Sequence, residues 1–246
     1  MENGISTCGG NMNVLQLVTR YITLRSDVKE NTRVGYRTIR NILIKEGNFC
    51  YKRIDQIKTT DAKAFLIHLY KDQNFSRSTI HSVRGVLRPA FRLAVNDDLL
   101  VKSPFEFPLS EVIREPYKEK IILTKAQERS FLNYIKHHDH YKEFYPGVYI
   151  LMRTGMRISE WAALTIRDID LEHMTLTDNK QLQYRGKNYY WIDETKTTSG
   201  NRILPIMPDP ELVRCFEILL NKPCPKQEPE IDGVSGFLCF SKMENR

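Results

Sequence analysis

The chain has 246 residues, of which 41% are apolar, 27% charged and 10% aromatic. This is enough for one large domain or two modest ones, and too apolar for a disordered chain. Twelve glycines and eleven prolines exclude collagen-like or low-complexity sequence, and no apolar run approaches the roughly 18 residues that a membrane span needs.

Residues 1–10 (MENGISTCGG) are poor in apolar side chains and hold three glycines, and residues 1–11 read as a flexible lead-in. Four helical segments follow. Val14 to Leu24 is apolar at helical spacing, and Asn31 can cap a helix running to about Ile44. Thr60 and Asp61 open a third helix to Tyr70, and Ser76 caps a fourth that continues to about Val95. Pro89 lies inside the fourth and is expected to kink it or shift its hydrogen bonds. Pro104, Pro108 and Pro116 then punctuate a stretch without clear period, and residues 106–122 read as a connector between two domains, 12–105 and 123–246. Beyond it, helices are expected at about 125–138, 143–153 and 157–165. Strands are expected over 173–183, 187–195 and 202–206, then a helix over 209–220, and Gly236 to Phe240 is a short strand-like run. The first unit thus reads as all-helical and the second as mixed α and β.

The net charge of +7 is unevenly spread. Residues 1–112 carry 17 Lys and Arg against 11 Asp and Glu, whereas residues 113–246 carry 20 against 19. The basic half has a pattern. Arg33, Arg37 and Arg40 fall on one face of the second helix, and Arg77, His81, Arg84 and Arg88 on one face of the fourth. Ile80, Val83, Leu87, Ala90 and Ala94 form a separate stripe that would pack inward. A solvated face ordinarily alternates signs, and a plain surface role competes for each arginine taken singly. Two all-basic stripes in one small domain favour phosphate neutralisation, so double-stranded DNA is the expected partner. Cys8, Cys50, Cys215, Cys224 and Cys239 are odd in number and lack C-x-x-C spacing. Free thiols in a reducing cytoplasm follow, with no metal site.

Residues 150–170 read ILMRTGMRISEWAALTIRDID, and residues 194–206 read ETKTTSGNRILPI. Gly155 ends one helix and Arg157 opens the next, which sets a guanidinium at a helix N-terminus, with Glu160 three residues on to brace it. An exposed ion pair worth a few tenths of a kcal/mol is the competing account. Lys196 ends a strand beside a polar, Gly-containing turn that can carry an amine into a groove.

Together these stretches resemble the first arginine box, T-G-x-R-x-x-E, and the β-hairpin lysine segment, T-K-T-x-x-x-x-R-x-(I/L)-P, of the tyrosine recombinases, closest in flavour to the integrases of conjugative transposons. The helical first half, ending in AVNDDLLVKSPF, is similar to the family's core-binding domain. The resemblance covers about residues 12–246. It implies an all-α core-binding domain followed by a partial α+β catalytic domain. It also implies a site-specific DNA recombinase that works through a 3′-phosphotyrosine, without metal or nucleotide cofactor, for integration or excision of a mobile element in a bacterial cytoplasm. Arg157 maps onto the first catalytic arginine, Glu160 onto its bracing acid and Lys196 onto the catalytic lysine, and the complete protein would self-associate on DNA. The family's H-x-x-R box and nucleophilic tyrosine come later than any residue of this chain. His81-x-x-Arg84 lies in the wrong domain, and Tyr184, Tyr189 and Tyr190 precede the lysine. The expectation is therefore a truncated recombinase, inactive alone. The alternative is a naturally truncated DNA-binding protein that occupies recombination sites.

Overall fold

The structure, a computed structural model, describes residues 11–114, 121–185, 189–194, 200–223 and 228–239. The chain divides into two compact units, Met1–Glu119 and Lys120–Arg246.

The described part of the first unit is helical: α1 (Val14–Leu24), α2 (Glu30–Lys45), the single turn α3 (Gly47–Cys50), α4 (Thr59–Lys71) and α5 (Arg77–Asn96). The caps explain the starts. Asn13 accepts from the Gln16 N–H and Gln16 returns the bond to Asn13, so α1 opens on a reciprocal cap. Asp61 accepts from the Lys58 N–H at the head of α4, and Ser76 accepts from the Thr79 N–H at the head of α5. Asn31 does not cap α2; that helix starts at Glu30, two residues earlier than such a cap implies, with Lys29 at the cap position. Pro89 does not break α5, which runs through it as one element.

The core of this unit forms where the apolar stripes meet, with Leu17, Leu43, Leu66, Leu69, Leu87 and Phe91 all fully buried. The packed chain also runs on past the prolines. Phe105, Phe107, Leu109 and Ile113 join the same core, so residues 106–113 are part of the first unit rather than a free connector. Phe105 packs against Phe91 at 5.1 Å between ring centroids.

The second unit contains α6 (Lys125–His137), α7 (Tyr145–Thr154), α8 (Ile158–Ala163), β1 (Ile169–Asp170), β2 (Thr175–Asp178), β3 (Lys180–Arg185), β4 (Tyr189–Glu194), β5 (Arg202–Pro205) and α9 (Pro210–Leu220). The strands form two antiparallel sheets, β1-β2-β5 and the hairpin β3-β4. Thr175 to Asp178 opposes Pro205 to Arg202, so Asp178 and Arg202 face each other across β2 and β5. The helices bury Ile150, Trp161, Leu212 and Phe216 against Leu176 and Ile206. Gly147 lets Trp161 approach α7 closely, since a Cβ there would meet the indole at 3.0 Å. Among the described residues, no helix is long and apolar enough to cross a membrane.

Candidate functional site

The turn between α7 and α8 fixes the position of Arg157. Gly155 stands at φ +66°, in the left-handed region, and its N–H closes α7 on the Leu151 carbonyl. Two residues later Arg157 is the cap of α8. Its N–H donates to Glu160 Oε2 at 2.7 Å, and its Nη1 donates to Glu160 Oε1 at 2.5 Å. The carboxylate thus satisfies the backbone of the first turn as well as the side chain. The main-chain donor nearest Arg157 is consequently spent on Glu160 and is not offered to an external oxyanion; the guanidinium carries that capacity. The two partners differ sharply in environment: the Arg157 side chain is 73% exposed and that of Glu160 only 3%. A buried anion therefore anchors an exposed cation.

Burial pushes the Glu160 carboxyl up, but the Arg157 N–H and guanidinium, with Arg202 nearby, outweigh it and hold the group below the usual carboxylate range. Arg202 comes from β5, with Nη2 at 3.6 Å from Glu160 Oε2 and Nε at 3.0 Å from Asp178 Oδ2. Asp178 is 2% exposed, and its Oδ1 has no hydrogen-bond partner among the described residues. Burial, then the Glu160 charge, raise the Asp178 carboxyl above the usual range against the opposing pull of Arg202 and Arg157. Sequence reasoning missed Asp178 and Arg202 as members of this cluster. The arginine of the T-K-T-x-x-x-x-R pattern was visible, but its partner lies 24 residues upstream on another strand.

Supporting contacts surround the cluster. At the exit of α8, Asp168 accepts from the Thr165 N–H and hydroxyl, and Lys180 on β3 donates to both of its oxygens. This ion pair ties the R-D-I-D segment to the hairpin. Gln181 donates from Nε2 to the Glu194 carbonyl at 3.1 Å, bracing the end of β4. Lys196, two residues past the end of β4, lies outside the described residues. Gly236 to Leu238 docks on the same exit: the Ile166 N–H donates to the Gly236 carbonyl and the Leu238 N–H to the Leu164 carbonyl.

The two basic stripes of the first unit divide into two kinds of residue. Arg33 donates to the Ser26 carbonyl, Arg37 pairs with Glu30, and all three arginines of α2 are exposed. Arg77 and His81 are exposed as well. Arg84 and Arg88 are engaged internally. Arg84 donates to the Phe105 and Phe107 carbonyls and lies 5.4 Å from the centroid of the Phe107 ring. Arg88 and Arg92 both grip Glu106. Helical spacing places Arg84 and Arg88 on the face shared with Arg77 and His81, but residues 105–107 cover that end of it. Between α2 and α5 opens a cleft of about 500 Å³ whose lining includes Thr32, Gly35, Thr38, Ser78, Ser82 and Gly85.

No protein-family model matches the chain. The transposase of transposon Tn916 from Enterococcus faecalis is 32% identical over 242 residues, 98% of this chain and 59% of the relative; the Tn1545 transposase of Streptococcus pneumoniae matches to the same extent. The Tn1549 transposon integrase, solved with circular intermediate DNA, is 32% identical with a TM-score of 0.85, covering 94% of this chain and 72% of that one. The chain belongs to the tyrosine recombinases of the transposon integrase type. A variant of the same integrase solved with transposon right end DNA gives 35% identity and a TM-score of 0.86 over the same shares. Lambda integrase bound to a core site, 17% identical over 79% of this chain and 60% of that one with a TM-score of 0.54, shares the fold. The chain spans about three fifths of the length of the curated transposases it matches.

Proposed function

We propose that these residues form the DNA-gripping part and the first half of the active site of a site-specific recombinase that integrates or excises a mobile element. The observation that carries the reading is the exposed Arg157 guanidinium pinned by the buried Glu160 carboxylate, in a chain 32% identical to an integrase solved with DNA. A fixed, planar, permanently charged donor suits the non-bridging oxygens of a phosphate under attack.

The helical first unit is the core-binding domain in this reading. Arg33, Arg37, Arg40, Arg77 and His81 meet duplex phosphates, whereas Arg84 and Arg88 shape the domain from within. The cleft between α2 and α5 supports this. Gly35 and Gly85 sit in helix interiors with open space where a Cβ would stand. Each costs about 1 kcal/mol relative to Ala, so close approach of a ligand to the backbone is a reason to have glycine there. In the active site, Lys196 protonates the departing 5′ oxygen. None of this chain's tyrosines is assigned as the nucleophile, because Tyr184, Tyr189 and Tyr190 precede Lys196 and none follows it. Strand exchange joins two duplexes, so copies of the complete protein would act together on DNA.

The test uses the protein extended to the length of its relatives. Arg157→Ala should slow cleavage on the order of 10²–10³-fold, and Arg157→Lys should recover little, because a point charge does not reproduce the fork. Lys196→Ala should also slow cleavage of ordinary DNA. A 5′-phosphorothiolate, whose sulfur leaves without a proton, should restore Lys196→Ala far more than Arg157→Ala. Equal rescue of both, or of neither, removes Lys196 from the acid role.

A further inference from the structure

Asp178 is an odd group to bury. It stands at the end of β2 with 2% exposure, close enough to the Glu160 carboxylate to be raised by its charge. Its Oδ1 meets no donor among the described residues. Two neighbouring buried carboxylates repel each other, and a neutral or apolar side chain would pack there at less cost. What Asp178 does hold is Arg202, directly opposite on β5, through Nε at 3.0 Å.

Among the described residues, Arg202 faces two anions. It is held at 3.0 Å on Asp178 and reaches Glu160 only at 3.6 Å. Glu160 meanwhile spends its short bonds, 2.7 and 2.5 Å, on the Arg157 N–H and Nη1. A guanidinium released from Asp178 would close on Glu160 Oε2 and compete with Arg157 for it. From this arrangement we infer that Asp178 is a positioning residue: it restrains Arg202 so that Glu160 stays committed to Arg157.

The inference rests on the reading of Arg157 as the phosphate-binding arginine, and it adds a control on that residue exerted through Arg202. It also sets a direction for pH. Among the described residues, the charged groups around Asp178 are Glu160 on α8, Arg157 at its cap and Arg202 on β5; Lys180, two residues along, is occupied by Asp168. Of the two buried carboxyls, Asp178 is raised and Glu160 lowered, so Asp178 takes the proton first as pH falls. Arg202 then loses its stronger anchor while Glu160 is still charged, and the hold on Arg157 loosens above the pH at which Glu160 itself titrates.

The test needs no strand cleavage and uses this chain as it stands. Arginine side chains are labelled with ¹⁵N and their Nε–Hε signals followed from pH 6.5 downward. Sulfate, a tetrahedral oxyanion that does not titrate in this range, serves as the probe for Arg157. The expected result is that the Arg202 and Arg157 signals shift with one midpoint above the ordinary carboxylate range, and that sulfate affinity at Arg157 falls through the same midpoint. Asp178→Asn should abolish that midpoint, increase the mobility of the Arg157 side chain and weaken sulfate several-fold. Adding Arg202→Met to Asp178→Asn should return Arg157 to the wild-type state, because the competitor is gone. A flat Arg157 signal while Arg202 titrates overturns the proposal, as does an Asp178→Asn effect that persists without Arg202. If Asp178→Asn does not fold, the wild-type titration alone decides. Intact coupling in a completed protein that fails to cleave DNA would count against the recombinase reading and leave this inference standing.

Discussion

Gly155 shows how a single residue places the site. Its φ of +66° turns the chain from α7 into the Arg157 cap, and a side chain there has open space but the wrong backbone preference. Gly155→Ala should therefore cost about 1–2 kcal/mol through conformation alone, read as a lower midpoint in urea with an unchanged slope. An unchanged midpoint would mean that the turn tolerates the left-handed region without glycine. This part of the site was legible in T-G-M-R-I-S-E, because glycine at the left-handed turn, arginine at the cap and glutamate three residues on are local features with local causes. Asp178 was not legible, because T-L-T-D reads as an ordinary strand end until β5 sets Arg202 opposite it.

At the scale of elements, the same contrast separates the helices from what packs on them. Apolar spacing and caps located α1, α4 and α5 to within a residue or so, since an amphipathic helix carries its own register. What lies against a helix is a long-range matter, and residues 103–113 illustrate it. Three prolines suggested a connector from residue 106 on, yet Phe107, Leu109 and Ile113 are buried with the helices. Glu106 fastens this segment to α5. Bonds from Arg92 and Arg88 hold its carboxyl down at about 2, against the modest upward push of burial. A carboxyl lowered from 4.5 to about 2 contributes stability that is fully present above pH 4.5 and lost as pH falls toward 2. All three side chains are partly exposed, so screening limits the effect, and Glu106→Gln should cost roughly 1 kcal/mol at neutral pH. Stability curves of the variant and wild type should converge between pH 4.5 and 2; a gap that persists at pH 2 would assign the cost to packing instead.

For the whole molecule, charge and architecture divide in nearly the same place. The chain splits after Glu119, and residues 1–112 carry a net +6 against +1 for the rest. Affinity for duplex DNA is then expected to reside mainly in the first unit and to fall steeply with salt, as each phosphate contact releases counterions. The exposed arginines of α2 are the clearest group to test. Arg37 pairs with Glu30 at the surface, where such a bond adds little to stability, so replacing it should not unfold the helix. Arg33→Ala, Arg37→Ala and Arg40→Ala together should reduce the slope of log affinity against log salt by about 3, close to 0.9 per lost contact. The control removes the same charge from exposed positions of the second unit, Lys125, Arg129 and Lys142, and should leave the slope nearly intact. Equal losses in the two triple variants would mean that DNA responds to net charge alone, and the α2 stripe would then have no special part in binding.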